Sequence, residues 1–362
     1  MINMPRILYV TEAFGGGVFV LISLCCNFMV ERGFEVHLCY SLRWDTFQPL
    51  EKYFDPRVTL HHIPMVRNIN FREDGMALIN LVRLFRRIDP DVIHLFSSKA
   101  GFLGRLAALA YGRRVSVFYS PQGLAFLQQE FSAHKRMLFL ALENLAFFCG
   151  GKIVASCQSE ADIMARYMPL AKTIIIENAI DTEGLIQKND QENAKVTIGT
   201  AGRIKAQKDP VTFARLAKNF SKQGISAVWI GDGDHPGREA LIEAGVEVTG
   251  MLSREAWRER LAGLDIYVQT SLWEGMPLAM IEALIAGIPA VVTNVVGNRD
   301  VVEHGESGFI AHNIEEMQAY ICLLIEDVAL RHQMGKRARE RSYRRFHFDR
   351  FADELFSAYT AG

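Results

Sequence analysis

Short runs of β-branched and apolar residues alternate along this chain with segments of helical periodicity. Such alternation is typical of parallel sheets, because parallel strands are joined by long crossover connections that are usually helices. The alternation pauses at a polar stretch, residues 187–195, and then starts afresh. A chain of 362 residues is also longer than one hydrophobic core normally supports. The pattern therefore predicts an α/β fold with two Rossmann-like domains, residues 1–187 and 188–345.

The apolar runs predict seven strands in the first half and six in the second. These strands are 6–10, 35–40, 58–63, 91–96, 115–120, 152–156 and 173–176, then 195–201, 225–230, 246–249, 264–269, 289–293 and 308–311. The last segment, residues 346–362, has too few apolar positions for an independent helix. We expect it to cross back as a helix and dock on the N-terminal domain.

Composition excludes several classes of protein. A formal net charge of -1 gives no strong field that would attract nucleic acid. The N-terminal residues lack the pattern of a signal peptide, and the longest apolar runs, 18–30 and 137–149, are shorter than the roughly 20 residues that cross a bilayer. The six cysteines show no C-x-x-C spacing and are expected to be reduced core residues. We expect a cytoplasmic protein without nucleic-acid partners.

Two glutamates flank the expected start of a helix in the second half. Glu274 lies in a loop after the strand 264–269, and Glu282 follows it after seven residues. If the helix begins at Pro277, its first backbone N–H groups and its dipole favour a phosphate. Carboxylates can accept hydrogen bonds from vicinal hydroxyls. The block therefore suits a nucleotide sugar, although an ordinary acidic loop with a surface glutamate would give the same pattern.

Two further motifs favour a diphosphate ligand. Arg203 and Lys208 follow the first strand of the second half, where a bidentate cation and a point charge suit phosphate oxygens, unless they are solvated loop cations. Gly16 and Gly17 follow the first strand of the chain, where backbone without side chains can approach a diphosphate from the facing domain. This loop is not G-x-G-x-x-G, which disfavours a dehydrogenase.

With these motifs, the chain resembles the family-4 glycosyltransferases of GT-B fold, which are retaining enzymes that use nucleotide-diphosphate sugars. The resemblance covers nearly the whole chain. The matching segments are the early glycine loop, 91–94 with 97–101, 178–181, 202–203 with 207–208, 231–233, 274–282 and 286–289. The resemblance implies two facing domains that contribute to one cleft.

The resemblance also implies roles for individual residues. Arg203 and Lys208 would hold the donor diphosphate, Glu282 the ribose, and Glu274 the transferred sugar, whose oxocarbenium-like transition state it would stabilise. Backbone contacts to sugar and phosphate would come from a short segment, Gly275, Met276, Pro277 and Leu278. Ser97, Ser98 and Lys99 would lie near the acceptor, or would simply cap a helix. The acceptor would be a saccharide or a lipid-linked saccharide of a bacterial surface polysaccharide or glycolipid.

Two positions depart from the family pattern. Gln122 stands where the family usually has a histidine, so it can contact the donor sugar by hydrogen bonds but cannot carry a proton charge. Ala179 stands where glycine is usual. A third feature, Asp232-Gly233-Asp234, matches a D-x-D metal motif, but its glycine-rich loop after a strand favours a structural turn. We expect neither a metal nor a cofactor.

Some alternatives stay open from the sequence. A GT-B epimerase would share the diphosphate cations without an acceptor site, and a non-catalytic sugar-nucleotide sensor would bind the donor without turnover. The segment 76–88 carries Arg83, Arg86 and Arg87 on one helical face, with apolar residues on the other. This face predicts attachment to an anionic membrane surface, although a surface helix of any α/β domain has the same pattern.

Overall fold

The computed structural model describes residues 4–188, 195–233 and 236–361. The chain divides into two compact units, Met1–Asn178 with Asp349–Gly362, and Ala179–Phe348. The second unit begins earlier than residue 188 because the Ile180 N–H donates to the Phe346 carbonyl at 3.0 Å, which ties this segment to the end of the same unit. Most of the polar stretch that marked the expected boundary, residues 189–194, lies outside the described residues.

The first unit is built on a seven-stranded parallel sheet with strand order β3-β2-β1-β4-β5-β6-β7. Its strands are β1 (Arg6–Thr11), β2 (Glu35–Tyr40), β3 (Thr59–His62), β4 (Val92–Phe96), β5 (Ser116–Ser120), β6 (Lys152–Ala155) and β7 (Thr173–Ile175). Its crossover helices are α1 (Gly16–Glu31), α2 (Phe71–Ile88), α3 (Ser98–Tyr111), α4 (Ala133–Phe147) and α5 (Gln158–Tyr167), with 3-10 turns at Leu50–Lys52 and Ala125–Leu127.

The second unit has a six-stranded parallel sheet with strand order β10-β9-β8-β11-β12-β13. Its strands are β8 (Thr197–Ala201), β9 (Ser226–Ile230), β10 (Glu247–Val248), β11 (Ile266–Gln269), β12 (Ala290–Thr293) and β13 (Gly308–Ala311). Its helices are α6 (Pro210–Ser221), α7 (Gly237–Glu243), α8 (Arg254–Ala262), α9 (Leu278–Ala286), α10 (Asn298–Val301), α11 (Ile314–Glu326) and α12 (Val328–Arg345), with a 3-10 turn at Ala206–Lys208. The last helix of the chain is α13 (Phe348–Thr360).

These two sheets confirm the predicted α/β class, and every predicted strand has a counterpart in the described part of the chain. In each sheet the strand order reverses once, between β1 and β4 and between β8 and β11. Doubly wound sheets bind ligands outside the carboxyl ends of the strands at such a reversal, because the two flanking loops turn to opposite faces of the sheet. The fold therefore predicts ligand-binding sites in the loops after β1 and β4, and in those after β8 and β11.

Helix α13 packs on the first unit. The Tyr359 hydroxyl is hydrogen-bonded to Nδ1 of buried His94 on β4, and Asp353 pairs with Arg32 at 2.7 Å. The ring of Phe356 lies 6.1 Å from that of Phe34 in an edge-to-face arrangement. The end of the chain thus completes the core of the domain with which it began.

Helix α2 buries an apolar face and exposes a basic one. Arg83, Arg86 and Arg87 are exposed, as the sequence predicts. However, Met76 and Ile79 are exposed as well. At about 100° per residue, positions 76, 79 and 83 fall on one side of the helix, so the apolar residues do not all lie opposite the arginines. Among the described residues, no helix is both long and apolar enough to span a bilayer.

We expect the first unit to lose stability in mild acid because of His94. Burial lowers the pKa of His94 to about 3, whereas an unfolded chain has a histidine pKa of about 6.5. The unfolded chain is therefore protonated first, so stability that is fully present above pH 6.5 falls progressively towards pH 3. At pH 5 the loss relative to pH 7.5 should be about 2 kcal/mol.

The measurement is hydrogen exchange of the β4 amides, which reports opening of the first unit alone. His94→Gln keeps hydrogen-bonding capacity without titrating, so its opening free energy should vary less between these pH values. Equal pH slopes in the two proteins would contradict the assignment.

Candidate active site

The loops that follow β8 and β11 are bound to each other. The two strands pair directly, with Ile266 opposite Ile198 and Tyr267 opposite Gly199. Beyond the strands, the Leu272 N–H donates to the Gln207 carbonyl at 2.8 Å. The Thr270 hydroxyl donates to the Lys208 carbonyl at 2.8 Å. The segments 202–209 and 270–277 therefore form one structural unit at the predicted edge of the sheet.

Glu274 and Lys208 form an ion pair within this unit. Lys208 Nζ lies 2.8 Å from Glu274 Oε1, and both side chains are largely buried. Ser271 Oγ donates to the same carboxylate oxygen at 2.7 Å, and Gln207 Nε2 donates to Oε2 at 3.1 Å. Burial is the largest single influence and lowers the pKa of Lys208, but the charge and hydrogen bond of Glu274, together with Tyr267, raise that pKa above its ordinary value. The residues predicted to hold the sugar and the diphosphate are thus direct neighbours.

Arg203 belongs to the same group of charges. It is partly exposed, and it lies close enough for its positive charge to lower the pKa of Lys208, against the larger effect of Glu274. Gly231 packs against the backbone of Gly202, the residue that precedes Arg203. A Cβ at residue 231 would come within 2.3 Å of the Gly202 carbonyl oxygen. Two cations and one carboxylate therefore share the carboxyl end of β8.

Glu282 is held by two side chains from α8. Arg254 donates from Nη2 to Oε1 at 2.8 Å and from Nη1 to Oε2 at 3.1 Å. Trp257 donates from Nε1 to Oε2 at 3.1 Å. Glu282 is only 4% exposed, so it is not a surface glutamate of α9. Three of about four acceptor positions on the carboxylate are occupied, which leaves one on Oε1.

Helix α9 begins at Leu278, one residue later than expected. Pro277 has φ -78° and ψ 100°, which is extended backbone, so it precedes the first turn as the N-cap. Its carbonyl accepts from the N–H groups of Met280 and Ile281 at 3.1 and 3.2 Å. Within the described residues no side chain caps this helix start. The N–H groups of the first turn that could face an anion therefore begin at residue 278, not at the predicted residue 276.

The loop before α9 is packed tightly against Gly297. A Cβ at residue 297 would come within 2.0 Å of the Gly275 carbonyl oxygen, and Gly297 has a φ of 82° that favours glycine. Only glycine allows this close approach. Gly275 and Met276 are thus held in place between Glu274 and the helix start.

Asp232, the first residue of the D-x-D motif, is held within its own loop. Asp232 accepts from the Gly233 N–H at 2.9 Å and from Arg238 at 3.0 Å, which is the behaviour of a structural turn. Asp234 lies outside the described residues. A search of the described part of the chain found no group of three or more His, Cys, Asp or Glu that could hold a metal ion.

In the first unit, the loops at the strand reversal carry the other predicted residues. Gly16 opens α1 with a φ of 55°, and Gly17 beside it is exposed. Ser97 caps α3 by accepting from the Ala100 N–H, and it donates to Glu12 at 3.3 Å. Lys99 pairs with Asp74 at 2.6 Å. The cap predicted for Ser97 is present, while Lys99 is engaged by its own domain.

Gln122 forms a reciprocal amide pair. Its Nε2 donates to Asn178 Oδ1 at 3.3 Å, and Asn178 Nδ2 donates back to Gln122 Oε1 at 2.9 Å. Gln122 has a φ of 55°, which is unusual for a residue with a side chain. The following residue, Gly123, donates its N–H to buried Glu160 at 3.3 Å. The amide of Gln122 is thus fixed in orientation with one donor and one acceptor position still available.

Two family models match the chain in succession. Residues 15–184 match the model described as "Glycosyltransferase Family 4", and residues 181–341 match "Glycosyl transferases group 1". Together they span residues 15–341, which include the whole second-unit site. The chain belongs to this glycosyltransferase family.

Relatives of this glycosyltransferase occur in polysaccharide synthesis. It is 28% identical over 335 residues to the UDP-Gal:alpha-D-GlcNAc-diphosphoundecaprenol alpha-1,3-galactosyltransferase of Escherichia coli, with 86% of each chain covered. It is 23% identical to the capsular polysaccharide biosynthesis glycosyltransferase CapM of Staphylococcus aureus, with 92% of this chain and 91% of CapM covered.

Solved GT-B structures share its fold. The sucrose-phosphate synthase of Thermosynechococcus elongatus superposes with a TM-score of 0.85 at 15% identity, over 99% of this chain and 98% of that one. Anabaena HepE, solved with UDP-glucose, gives a TM-score of 0.76 at 16% identity, over 99% and 100% of the two chains. At these identities the likeness establishes the fold alone.

Three residues that contact the predicted carboxylates were not predicted from the sequence: Arg254, Trp257 and Ser271. Arg254 and Trp257 lie on α8, 28 and 25 positions before Glu282, and a contact between two helices at that separation leaves no local pattern. Ser271 is three residues before Glu274. Of these three residues, only Ser271 is close in sequence to the carboxylate that it contacts, so only Ser271 could have been found from the sequence.

We expect Arg254→Ala to destabilise the second unit by about 1–3 kcal/mol, because it leaves the buried Glu282 carboxylate with Trp257 alone. Arg260→Ala on the same helix is the matched control, since its ion pair with Glu247 is exposed on both sides and should be worth less than about 1 kcal/mol. Urea unfolding of the second unit measures both. Similar small effects would show that Arg254 does not support Glu282.

Proposed function

We propose that the protein is a retaining hexosyltransferase that moves a sugar from a nucleotide-diphosphate donor to a hydroxyl group of a saccharide or lipid-linked saccharide. The biological setting would be bacterial surface polysaccharide or glycolipid synthesis, on the cytoplasmic side of the membrane. The observation that carries the proposal is the buried Lys208–Glu274 pair, which lies in the loops beside the uncapped start of α9.

The proposed diphosphate site uses Arg203, Lys208 and the first N–H groups of α9. Both cations belong to one group of charges, and a helix start adds a positive dipole end. An arriving diphosphate would compete with the Glu274 carboxylate for the Lys208 ammonium. Lys208 would then exchange its carboxylate partner for a phosphate and would keep a negative partner throughout. Structures of Anabaena HepE with UDP and with UDP-glucose support a diphosphate donor for this fold. We propose that the two cations neutralise the leaving group, so that no metal is needed.

Glu282 would bind the ribose. Arg254 and Trp257 fix the plane of its carboxylate, and the remaining acceptor position on Oε1 suits one hydroxyl group. The sequence alone suggested that both vicinal hydroxyls would be held at once. With three positions already occupied, a single strong hydrogen bond is the better proposal.

Glu274 would stabilise the transferred sugar during the reaction. In the proposed step the bond from the anomeric carbon to the donor phosphate breaks, and the bond to the acceptor oxygen forms on the same face. The acceptor proton passes to the departing phosphate. Positive charge develops on the sugar meanwhile, and a fixed carboxylate stabilises it electrostatically. The backbone from Gly275 to Leu278 would contact the sugar and the phosphate.

The activity is tested by incubating the protein with nucleotide sugars and acceptors and following the products by NMR. We expect a new glycosidic bond that keeps the anomeric configuration of the donor. Inversion would exclude the retaining mechanism. Release of an epimerised sugar without acceptor would identify an epimerase, and donor binding without turnover would identify a sensor.

Arg203→Ala and Lys208→Ala should each weaken a nucleoside diphosphate by ~1.5–3 kcal/mol while leaving the nucleoside nearly unchanged, because each removes a charge-assisted contact. Thermal shift with UDP, GDP and ADP selects the nucleotide, because a ligand that binds only the folded state raises its stability. Calorimetry then measures the variants. Lys218→Ala, an exposed lysine on α6, is the control. Unchanged diphosphate affinity in both variants would exclude this phosphate site.

Gln122 would be a neutral contact to the donor sugar, with Asn178 fixing its orientation. Gln122→Ala should raise the barrier by ~1–2 kcal/mol, as expected for one neutral hydrogen bond. Gln122→His should stay active but gain a pH dependence near 6.5, where imidazole titrates. The measurement is a pH-rate profile with saturating donor. A sharp inflection near neutral pH in the wild type that disappears in Gln122→Ala would overturn the neutral role.

A further inference from the structure

Helix α4 has a buried carboxylate on its inner face and four large apolar residues on its outer face, although Phe139 and Leu140 pack against the core. Its buried face carries Glu143, whose carboxylate accepts from Arg105 at 2.8 Å and from the Tyr119 hydroxyl at 2.6 Å. All three side chains are buried. The opposite face consists of large apolar side chains with high exposure: Met137 68%, Leu138 48%, Leu145 58% and Phe148 75%. At about 100° per residue these four fall within an arc of roughly 100°.

The buried ion pair fixes this orientation. Rotating α4 to bury its leucines would remove Glu143 from Arg105 and leave a buried guanidinium without its carboxylate, which is strongly unfavourable. Singly exposed apolar side chains are normal on a protein surface, but a contiguous set marks an interaction surface. The outward apolar face is therefore a stable property of the first unit.

Neighbouring helices extend the surface. Helices α2, α3 and α4 follow one another on the same core, with α3 in contact with both of the others. Leu109 of α3 is exposed, and so are Met76 and Ile79 on the basic face of α2. Asn144 of α4 donates to the carbonyl of Tyr167, whose ring is also partly exposed.

The charge around α4 indicates what could cover it. Between residues 131 and 152 the sequence has one carboxylate, Glu143, which is buried and paired. Two cations, Lys135 and Arg136, precede the apolar face, and Lys152 follows it. Two copies packed face to face would bring cations together at the helix ends, whereas an anionic surface complements them.

We propose that α4 is a membrane-contact helix, lying in the headgroup region of an anionic phospholipid bilayer with its four large apolar side chains among the acyl chains. Lys135, which lies about 60° from Leu138 around the helix, then meets lipid phosphates, as in interfacial amphipathic helices. The exposed arginines of α2 add attraction, but the insertion is made by α4. The biological role of this surface rests on the proposed function, in which the acceptor is lipid-linked. The test of membrane binding requires neither donor nor acceptor.

Vesicle flotation tests the proposal directly. Wild type should float at low salt with vesicles of phosphatidylglycerol and phosphatidylcholine, and much less with phosphatidylcholine alone. The double variant M137Q/L145Q should lose about tenfold or more in partitioning, because two inserted side chains are removed. The control V211Q/I242Q changes two equally exposed apolar residues of the second unit and should float like wild type. Unchanged thermal unfolding of each variant verifies the fold.

Several outcomes would overturn the proposal. Failure of the wild type to float is one such outcome. Flotation of M137Q/L145Q equal to that of the wild type is another, and it would assign the binding to α2 alone. Light scattering that detects a dimer lost in M137Q/L145Q would assign the face to a second copy instead. Diphosphate affinity measured on the same variants should stay unchanged. Lys208→Ala should lose diphosphate binding but float like the wild type. The two measurements therefore test the donor site and the membrane surface independently.

A second measurement locates the helix in depth. Leu145→Trp should be quenched by lipids with brominated acyl chains when anionic vesicles are added. The matched Ile242→Trp should not. Equal quenching, or none, at both positions would contradict insertion of α4.

Discussion

The parallel pairing of β8 with β11 is the constraint on which the second unit depends. Residues 198 and 266 lie far apart in the chain, yet they are opposite each other in the sheet. Closing so long a loop costs conformational entropy, which the buried sheet must offset. Strands β9 and β10 lie beyond β8, and β12 and β13 lie beyond β11, so the chain leaves β8 and β11 in opposite directions along the sheet and the first loops of the two crossovers meet at the junction. Lys208 and Glu274 meet only because of this reversal.

Buried charge is the second theme of the structure. Glu274, Glu282 and Glu143 are nearly inaccessible, and each has a cation within hydrogen-bonding distance. An unpaired carboxylate at such depth would be strongly destabilising. The need to pair a buried carboxylate with a cation has different effects at the three sites. At Glu274 and Glu282 it holds acceptor groups in fixed directions before a ligand arrives, and at Glu143 it determines which face of α4 meets the surroundings.

The sequence predicted most of the sheet but less of the site. Fully buried parallel strands are continuous apolar runs, so strands and their restart were visible directly. The start of α9 was placed one residue early, because proline suits both the first helical position and the extended residue before it. Arg254 and Trp257 were missed since their contact with Glu282 joins two helices. The outward face of α4 was missed too, because a run of apolar residues does not reveal which side carries the buried partner of Arg105.

The return of α13 to the first unit has a consequence for biosynthesis. The second unit is one continuous segment, whereas the first needs residues from both ends of the chain. A ribosome therefore delivers the first sheet long before Tyr359, which contacts His94 and lies beside Phe118. Until Tyr359 has been synthesised and has packed, these core groups lack part of their cover. The unit synthesised first is thus the last to be completed, and an incomplete chain would expose that site to chaperones and proteases.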